Sequence, residues 1–467
     1  MPYVRKKGRQ LLLVHGERTP ESGQVQQRVL FTIYSKPEAL AIVGKGGERS
    51  ARLFEDLVMG QYPALRFDWK TIRAAIQQNL DILPDRYEYR QERLEKRFRT
   101  DLAAFARQLF LADPQNLVSA ANLIKEQRRE LELVSELIDW RLELCGQKED
   151  EWNGDNEYYW RFSLQGWGVP PDTEELVASY LEKGDYRHAE AGFRLLTECF
   201  DRYAEGYNYL GIIALDERRL DDAVKLFEQT VKVGRTLFPK RISKKRYWSD
   251  LSTRPYIRGL RNLTLTLNQV GRFDEALALC DRLDEECGDD ITASWHRAAI
   301  SLNLGTWPGA SSNARRIAQI HPDAAFIEAF ALEALGQRQY ALPAFLHGAL
   351  NYPRAAKMLV GIRQPPKAPA SYHERDDHNA GVSLRRNLHA YLAKQPRGSK
   401  AFFRTVLADS RVGQLLDEVV ETVRRWDEDR TGDRTAYVRM MLMHSRPFAE
   451  TEAQRLRDLS EGASQAD

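Results

Sequence analysis

Few residues in this chain combine type and spacing in a way that could do chemistry. The most suggestive stretch is His373-Glu374-Arg375-Asp376-Asp377-His378, two histidines flanking acids, which invites a metal reading. Zinc held on one helix face needs histidines four residues apart; here they are five apart and point from different faces. The expected reading is a polar loop after a proline-rich linker, with no metal and no cofactor. His15, His188, His296, His321, His347, His389 and His444 are scattered, with no grouping of nucleophile, base and orienting residue. No GxxxxGK[ST], GxGxxG or GxSxG occurs, so the phosphate loop and the hydrolase elbow lack support. The four cysteines, Cys145, Cys199, Cys280 and Cys287, form no CxxC, which argues against disulfides and structural zinc. No catalytic residue is assigned, and the chain reads as a non-enzyme. An enzyme would require the segment near residue 375 to meet acidic residues from elsewhere in space.

A second cluster is basic. Lys240, Arg241, Lys244, Lys245 and Arg246 lie within seven residues and are followed by Tyr247 and Trp248. Cations beside stacking rings suit single-stranded nucleic acid. The first fifty residues add nine basic against four acidic side chains. Over all 467 residues, however, 69 Lys and Arg meet 67 Asp and Glu, a net charge of +2, so no global field points to nucleic acid or an anionic membrane. A solvated loop or a contact to an acidic protein is the plainer reading of residues 240–246. At 43% hydrophobic and 29% charged, the composition is that of a globular protein, and the length suggests about three folding units. No apolar run approaches the roughly 20 residues that span a bilayer. The apolar stretch after Arg9 is too short for a signal-peptide core, so no membrane contact and a cytoplasmic location are expected.

The elements that would position such residues change along the chain. Residues 1–50 read as a small antiparallel β unit: Tyr3 to Lys7, Gln10 to His15 and the β-branched, aromatic run from Val25, with turn residues between them. A lone hairpin is marginal in water, so it should dock on the helices that follow. Residues 51–145 turn helical. Asp68 is a plausible N-cap, and Leu94, Phe98, Leu102, Phe105 and Leu109 recur at three- and four-residue steps. Asp113-Pro114 breaks the chain before a second long helix, predicting an antiparallel hairpin. Residues 146–172 form an aromatic-rich connector whose Trp152, Tyr158, Tyr159, Trp160, Phe162 and Trp167 are expected to cap a stack of helices. Residues 364–380 read as a linker, 381–445 as a helical extension and 446–467 as a disordered tail.

Residues 173–363 carry the strongest pattern, an internal repeat. Small residues recur at Ala189, Ala223, Ala276, Ala310 and Ala341, spaced by 34, 53, 34 and 31, the 53 being 34 plus an insertion of 19. Five residues before each anchor stands Gly184, Arg218, Gly271, Gly305 or Gly336. A small residue lets two helices touch, and a glycine closes the turn between them. This pattern resembles the tetratricopeptide repeat (TPR), best in the unit with Tyr207, Leu210, Gly211, Ala223 and Phe227. The resemblance implies a mainly α fold, a TPR-like solenoid of about five helix pairs with a concave groove that binds a peptide or partner helix. Carried onto this sequence, the groove would present Asn208, Tyr209, Arg258, Arg261, Asn262, Asn268, Gln269, Trp295, His296 and Asn303. Arginine forks beside asparagine amides suit a peptide's carboxylate or backbone.

Trp248-Ser-Asp-Leu-Ser-Thr-Arg-Pro-Tyr256 is similar to a motif in a loosely defined group of bacterial TPR proteins with no activity to transfer. The basic N-terminal strands faintly resemble the opening strands of insertion-sequence transposases, but no strand-rich stretch follows to hold the acidic metal ligands of such an enzyme. The expected function is therefore a non-catalytic adaptor or scaffold with a protein or peptide partner. The alternative is a nucleic-acid-associated factor using the N-terminal strands and Lys240, Arg241, Lys244, Lys245, Arg246 and Trp248.

Overall fold

A computed structural model describes the chain apart from residues 19–24, 45–50, 52–53, 57, 60–61, 86–90, 112, 149–168, 170, 239–241, 251, 366–370, 395–396, 429–433 and 462–467. The aromatic cluster from Trp152 to Trp167, and Lys240 and Arg241 of the basic loop, lie outside the described residues. The fold is mainly helical, with one small sheet, and divides into two compact units: residues 1–210 with 236–241, and residues 211–235 with 242–467.

The first unit opens with strands β1 (Tyr3–Lys7), β2 (Gln10–Arg18) and β3 (Val25–Ile33), antiparallel in the order β1-β2-β3. Alternation puts Leu11, Leu13, Phe31 and Ile33 on one buried face. That face packs against α1 (Lys36–Ile42), Phe54, Val58 and α2 (Trp69–Gln77), with Phe54 edge-on to Phe31 at 4.9 Å. The expected docking of the sheet on helices is thus present. The expected boundary at residue 50 is not, because one core runs across it. Asp68 caps α2 as anticipated, accepting from the Thr71 N–H at 3.2 Å.

Next come α3 (Gln91–Phe110) and α4 (Leu117–Lys148), joined through a 3₁₀ turn at Pro114–Asn116. Then follow α5 (Pro171–Glu182), α6 (Tyr186–Cys199) and α7 (Ala204–Asp216). Helices α5 and α6 cross closely at Gly192, where a Cβ would stand 2.7 Å from Val177.

In the second unit the helices pack in succession: α8 (Leu220–Thr236), α9 (Arg254–Val270), α10 (Phe273–Asp281), α11 (Asp290–Leu304), α12 (Trp307–Ile317), α13 (Ala324–Ala334) and α14 (Arg338–Asn351). All five alanine anchors are fully buried. The turn positions Gly271, Gly305 and Gly336 adopt φ of +89°, +81° and +74°, the left-handed conformation that glycine reaches without Cβ strain.

The chain continues through α15 (Pro353–Leu359), α16 (Tyr372–Asn387), α17 (His389–Lys394), α18 (Arg397–Ala408), α19 (Ser410–Glu428), α20 (Arg434–Met443), α21 (Arg446–Arg455) and α22 (Arg457–Glu461). Two expectations are corrected here. The linker over 364–380 gives way to helix from Tyr372, because α16 docks on α15 at Gly381. The disordered tail after 445 is helix as far as 461: Ala449, Ala453 and Leu456 are buried against α14, and Arg446 pairs with the buried Glu328 through two hydrogen bonds of 2.8 and 2.9 Å. Among the described residues no helix is long and apolar enough to cross a membrane.

Candidate functional site

The sequence placed a binding groove on the faces of α9 and α11, and the structure fills part of that face with the chain's own α16 and α17. Asn268 and Asn303, 1% and 7% exposed, are the contact points. The Asn268 and Asn303 side-chain amides donate to the Asn387 carbonyl at 2.9 and 2.7 Å. The Asn303 carboxamide oxygen accepts from the Tyr391 N–H at 3.0 Å. In an uninterrupted helix the Asn387 carbonyl would accept from that same Tyr391 N–H. Asn303 therefore inserts its amide into one i→i+4 bond and satisfies both halves of it, which is a physical cause for the break between α16 and α17. An additional bond from Asn303 to the Asn268 carboxamide oxygen, at 2.9 Å, aligns the two amides. Beyond the break the Tyr391 ring packs edge-on to Trp307 and tilted against Phe330.

The expected groove residues therefore do not act together on an open surface. Asn268 and Asn303 hold backbone, but it is the backbone of this chain and not of the peptide partner that was expected. Trp295 donates through Nε1 to Asp323 at 2.9 Å. His296 is buried, its Nδ1 has no partner, and burial, reinforced by Arg261, lowers its pKa to about 3. Arg261 is exposed and lies over the Trp248 ring at 5.3 Å, while Arg258 and Asn262 are half-buried. Asn208 and Tyr209 belong to the first unit: Asn208 is buried and donates to Glu205 at 3.4 Å, and Tyr209 stacks on Phe193 at 4.4 Å. Gln269 is 7% exposed and its Oε1 is unpartnered.

The described part of the basic loop is a single 3₁₀ turn at Lys244–Arg246. Lys244 donates through Nζ to the Glu285 carbonyl, Lys245 and Arg246 are exposed, and Trp248 is 36% exposed beneath Arg261.

The histidine- and acid-rich segment is not the expected loop but the first turns of α16. It lines a cavity of about 270 Å³ with Asn351, Pro353, Val419, Val423 and His444. His373 Nε2 lies 3.2 Å from an Asp427 oxygen, and the Ser371 hydroxyl donates to the other Asp427 oxygen at 3.2 Å. The histidine thus does meet an acid from elsewhere in space. The serine hydroxyl, however, is directed at the carboxylate and not at the imidazole, so serine and histidine do not form a nucleophile–base pair. Asp377 accepts from the Arg354 and Ala355 N–H groups at 2.8 Å each, and burial raises its pKa to about 6. Burial depresses His444 to about 4. Among the described residues no group of three or more His, Cys, Asp or Glu could hold a metal ion. Burial also raises the Cys280 and Cys287 thiols to about 12, which leaves them unreactive.

Sequence reasoning did not single out the flank of α3 and α4. Of the described residues from 95 to 132, none is buried. Phe98, Phe110, Leu111, Val118 and Leu131 are 58%, 87%, 75%, 71% and 60% exposed. The helical period of these residues was legible, but periodicity alone does not say what covers an apolar stripe. Comparison with models of known protein families and with curated proteins found no match.

Proposed function

We propose that the chain is a non-catalytic scaffold for other proteins, and that it engages them through the apolar flank of α3 and α4 rather than through the groove on α9 and α11. The carrying observation is that flank itself. Large apolar side chains exposed along helices are what a partner helix buries, and many of them on neighbouring stretches of chain mark an interaction surface. The groove is the weaker candidate because α16 and α17 already take up the amides of Asn268 and Asn303. The buried alanines and left-handed turn glycines of α9 to α14 support reading those helices as TPR-like pairs. On this reading the partner is a helical segment with its own apolar stripe.

The test is a double substitution, Phe98→Glu with Leu102→Glu, in the full chain. Both residues are more than half exposed, so the circular dichroism spectrum and melting temperature should stay native. Crosslinks formed in the native cell from a photoreactive residue at position 110 should be lost in the double variant. Crosslinks that persist unchanged, or that arise only from position 261, would return the interaction to the groove.

A further inference from the structure

The turn before each repeat anchor uses a left-handed residue, and at one of these turns that residue is not glycine. Arg218 has φ of +65° and is the one described non-glycine residue with positive φ. Its hydrogen bonds match those of its glycine counterparts: the Arg218 N–H donates to Leu215, as Gly271 does to Asn268, and the Arg219 N–H donates to Ala214, as Arg272 does to Leu267. A Cβ in this conformation is strained, and glycine would relieve it. An arginine standing in a left-handed turn where the other repeats have glycine points to a use of its side chain.

That side chain lines a cleft of about 410 Å³ within the second unit, together with Arg385, Arg386 and His389. Arg218 and Arg385 make no ion pair among the described residues, while Arg386 donates through Nη1 to Asp216 at 2.8 Å. Three guanidinium groups against one carboxylate leave two positive charges. The Arg386 Nε is buried without a partner, and so is Oε1 of Gln269, whose side chain lines the same cleft and is 93% buried by its 7% exposure. A half-turn of that amide exchanges the acceptor for a donor. Leu220, Met358 and Val382 supply an apolar wall beside the cations. We propose that this cleft binds a small organic phosphate monoester, its phosphoryl group held by Arg218, Arg385 and Arg386 and its apolar body lying on Leu220, Met358 and Val382. A phosphate monoester carries about −1.5 to −2 charges at pH 7, which matches the surplus, whereas a carboxylate leaves one guanidinium unneutralised. The assignment stands apart from the role given to α3 and α4.

The probe is phenyl phosphate, titrated calorimetrically into the full chain at fixed ionic strength, with inorganic phosphate and benzoate as comparisons. Phenyl phosphate should bind tightest, inorganic phosphate more weakly for want of the apolar body, and benzoate at least tenfold more weakly for want of the second charge. Arg218→Gly should weaken phenyl phosphate at least tenfold while the unliganded melting temperature stays level or rises, because the left-handed strain is gone. Arg385→Gln, at an exposed position, should weaken binding by a similar factor with no change in melting. Absence of binding at millimolar phenyl phosphate, or equal affinity in Arg218→Gly, overturns the site. Benzoate binding as tightly as phenyl phosphate overturns the phosphate assignment.

Discussion

Asn303 shows what a single amide can do when it is buried against a helix break. Its two ends answer the two groups that the break orphans, the Asn387 carbonyl and the Tyr391 N–H. Replacing it with alanine leaves the Tyr391 N–H unpaired in a buried setting and the carbonyl with Asn268 alone. A buried unsatisfied group costs about 1–3 kcal/mol, so Asn303→Ala should destabilise the protein by about 2–4 kcal/mol with the lost second bond included. Urea denaturation measures this, and amide hydrogen exchange at Tyr391 should quicken. A loss under about 0.5 kcal/mol would mean that α16 and α17 are not held by these bonds in solution. Part of this chemistry was legible, since asparagine amides beside arginine forks suit a carboxylate or a backbone; the pairing of Asn268 with Asn303 was not. The occupant was not, because nothing in the sequence around Asn387 and Tyr391 marks it as a ligand for a face some hundred residues earlier.

At the scale of elements, α16 shows why. Its buried residues are His378, Gly381, Leu384 and Asn387, a helical stripe that holds one aliphatic side chain. A hydropathy pattern cannot register such a face, because its fit comes from the absence of bulk at Gly381 and from hydrogen bonds at Asn387. The helix α21 escaped for the same reason: Ala449 and Ala453 make a contact stripe too weakly apolar to stand out in a polar segment. The alanine anchors were readable only because they recurred. The close approach at Gly381 is testable. A Cβ there would lie 2.7 Å from the Met358 sulfur and 3.0 Å from the Ala355 Cα, and the backbone of α15 cannot yield as a side chain can. Gly381→Val should therefore cost roughly 1–3 kcal/mol by overpacking. It should also make the α16 amides exchange faster than those of α11 and α13. Uniform protection across these helices would show that the α15–α16 contact is looser than its geometry.

Across the second unit as a whole, acid sensitivity follows from which titratable groups the core encloses. His347 on α14 is 2% exposed, with Nδ1 unpartnered. Burial pushes its pKa down to about 4, and the Arg446 charge acts in the same direction; a hydrogen bond to the His444 backbone and the Glu450 charge act against it. His296 and His444 are depressed in the same sense. A histidine held neutral in the folded state takes up its proton only on unfolding, so its stabilising contribution is whole above about pH 6.5 and drains away as the pH falls towards 4. Asp377, raised to about 6, has the opposite sign: its contribution is whole below about 3.8 and fades as the pH rises through 6. Asp323, likewise raised by burial, adds to that opposition. His378 is lowered by burial as well, so four depressed histidines outweigh two raised acids, and the unit should lose stability between pH 7 and pH 4.5. His347→Gln removes one of the four without placing a charge in the core. The loss of unfolding free energy between those two pH values, from urea titrations, should then be smaller than in the unsubstituted chain by about 2 kcal/mol, at about 1.4 kcal/mol for each pH unit of one displaced proton. An identical pH dependence in the two proteins would mean that His347 reaches solvent and titrates normally, and the packing of α21 over α14 would have to be drawn more loosely.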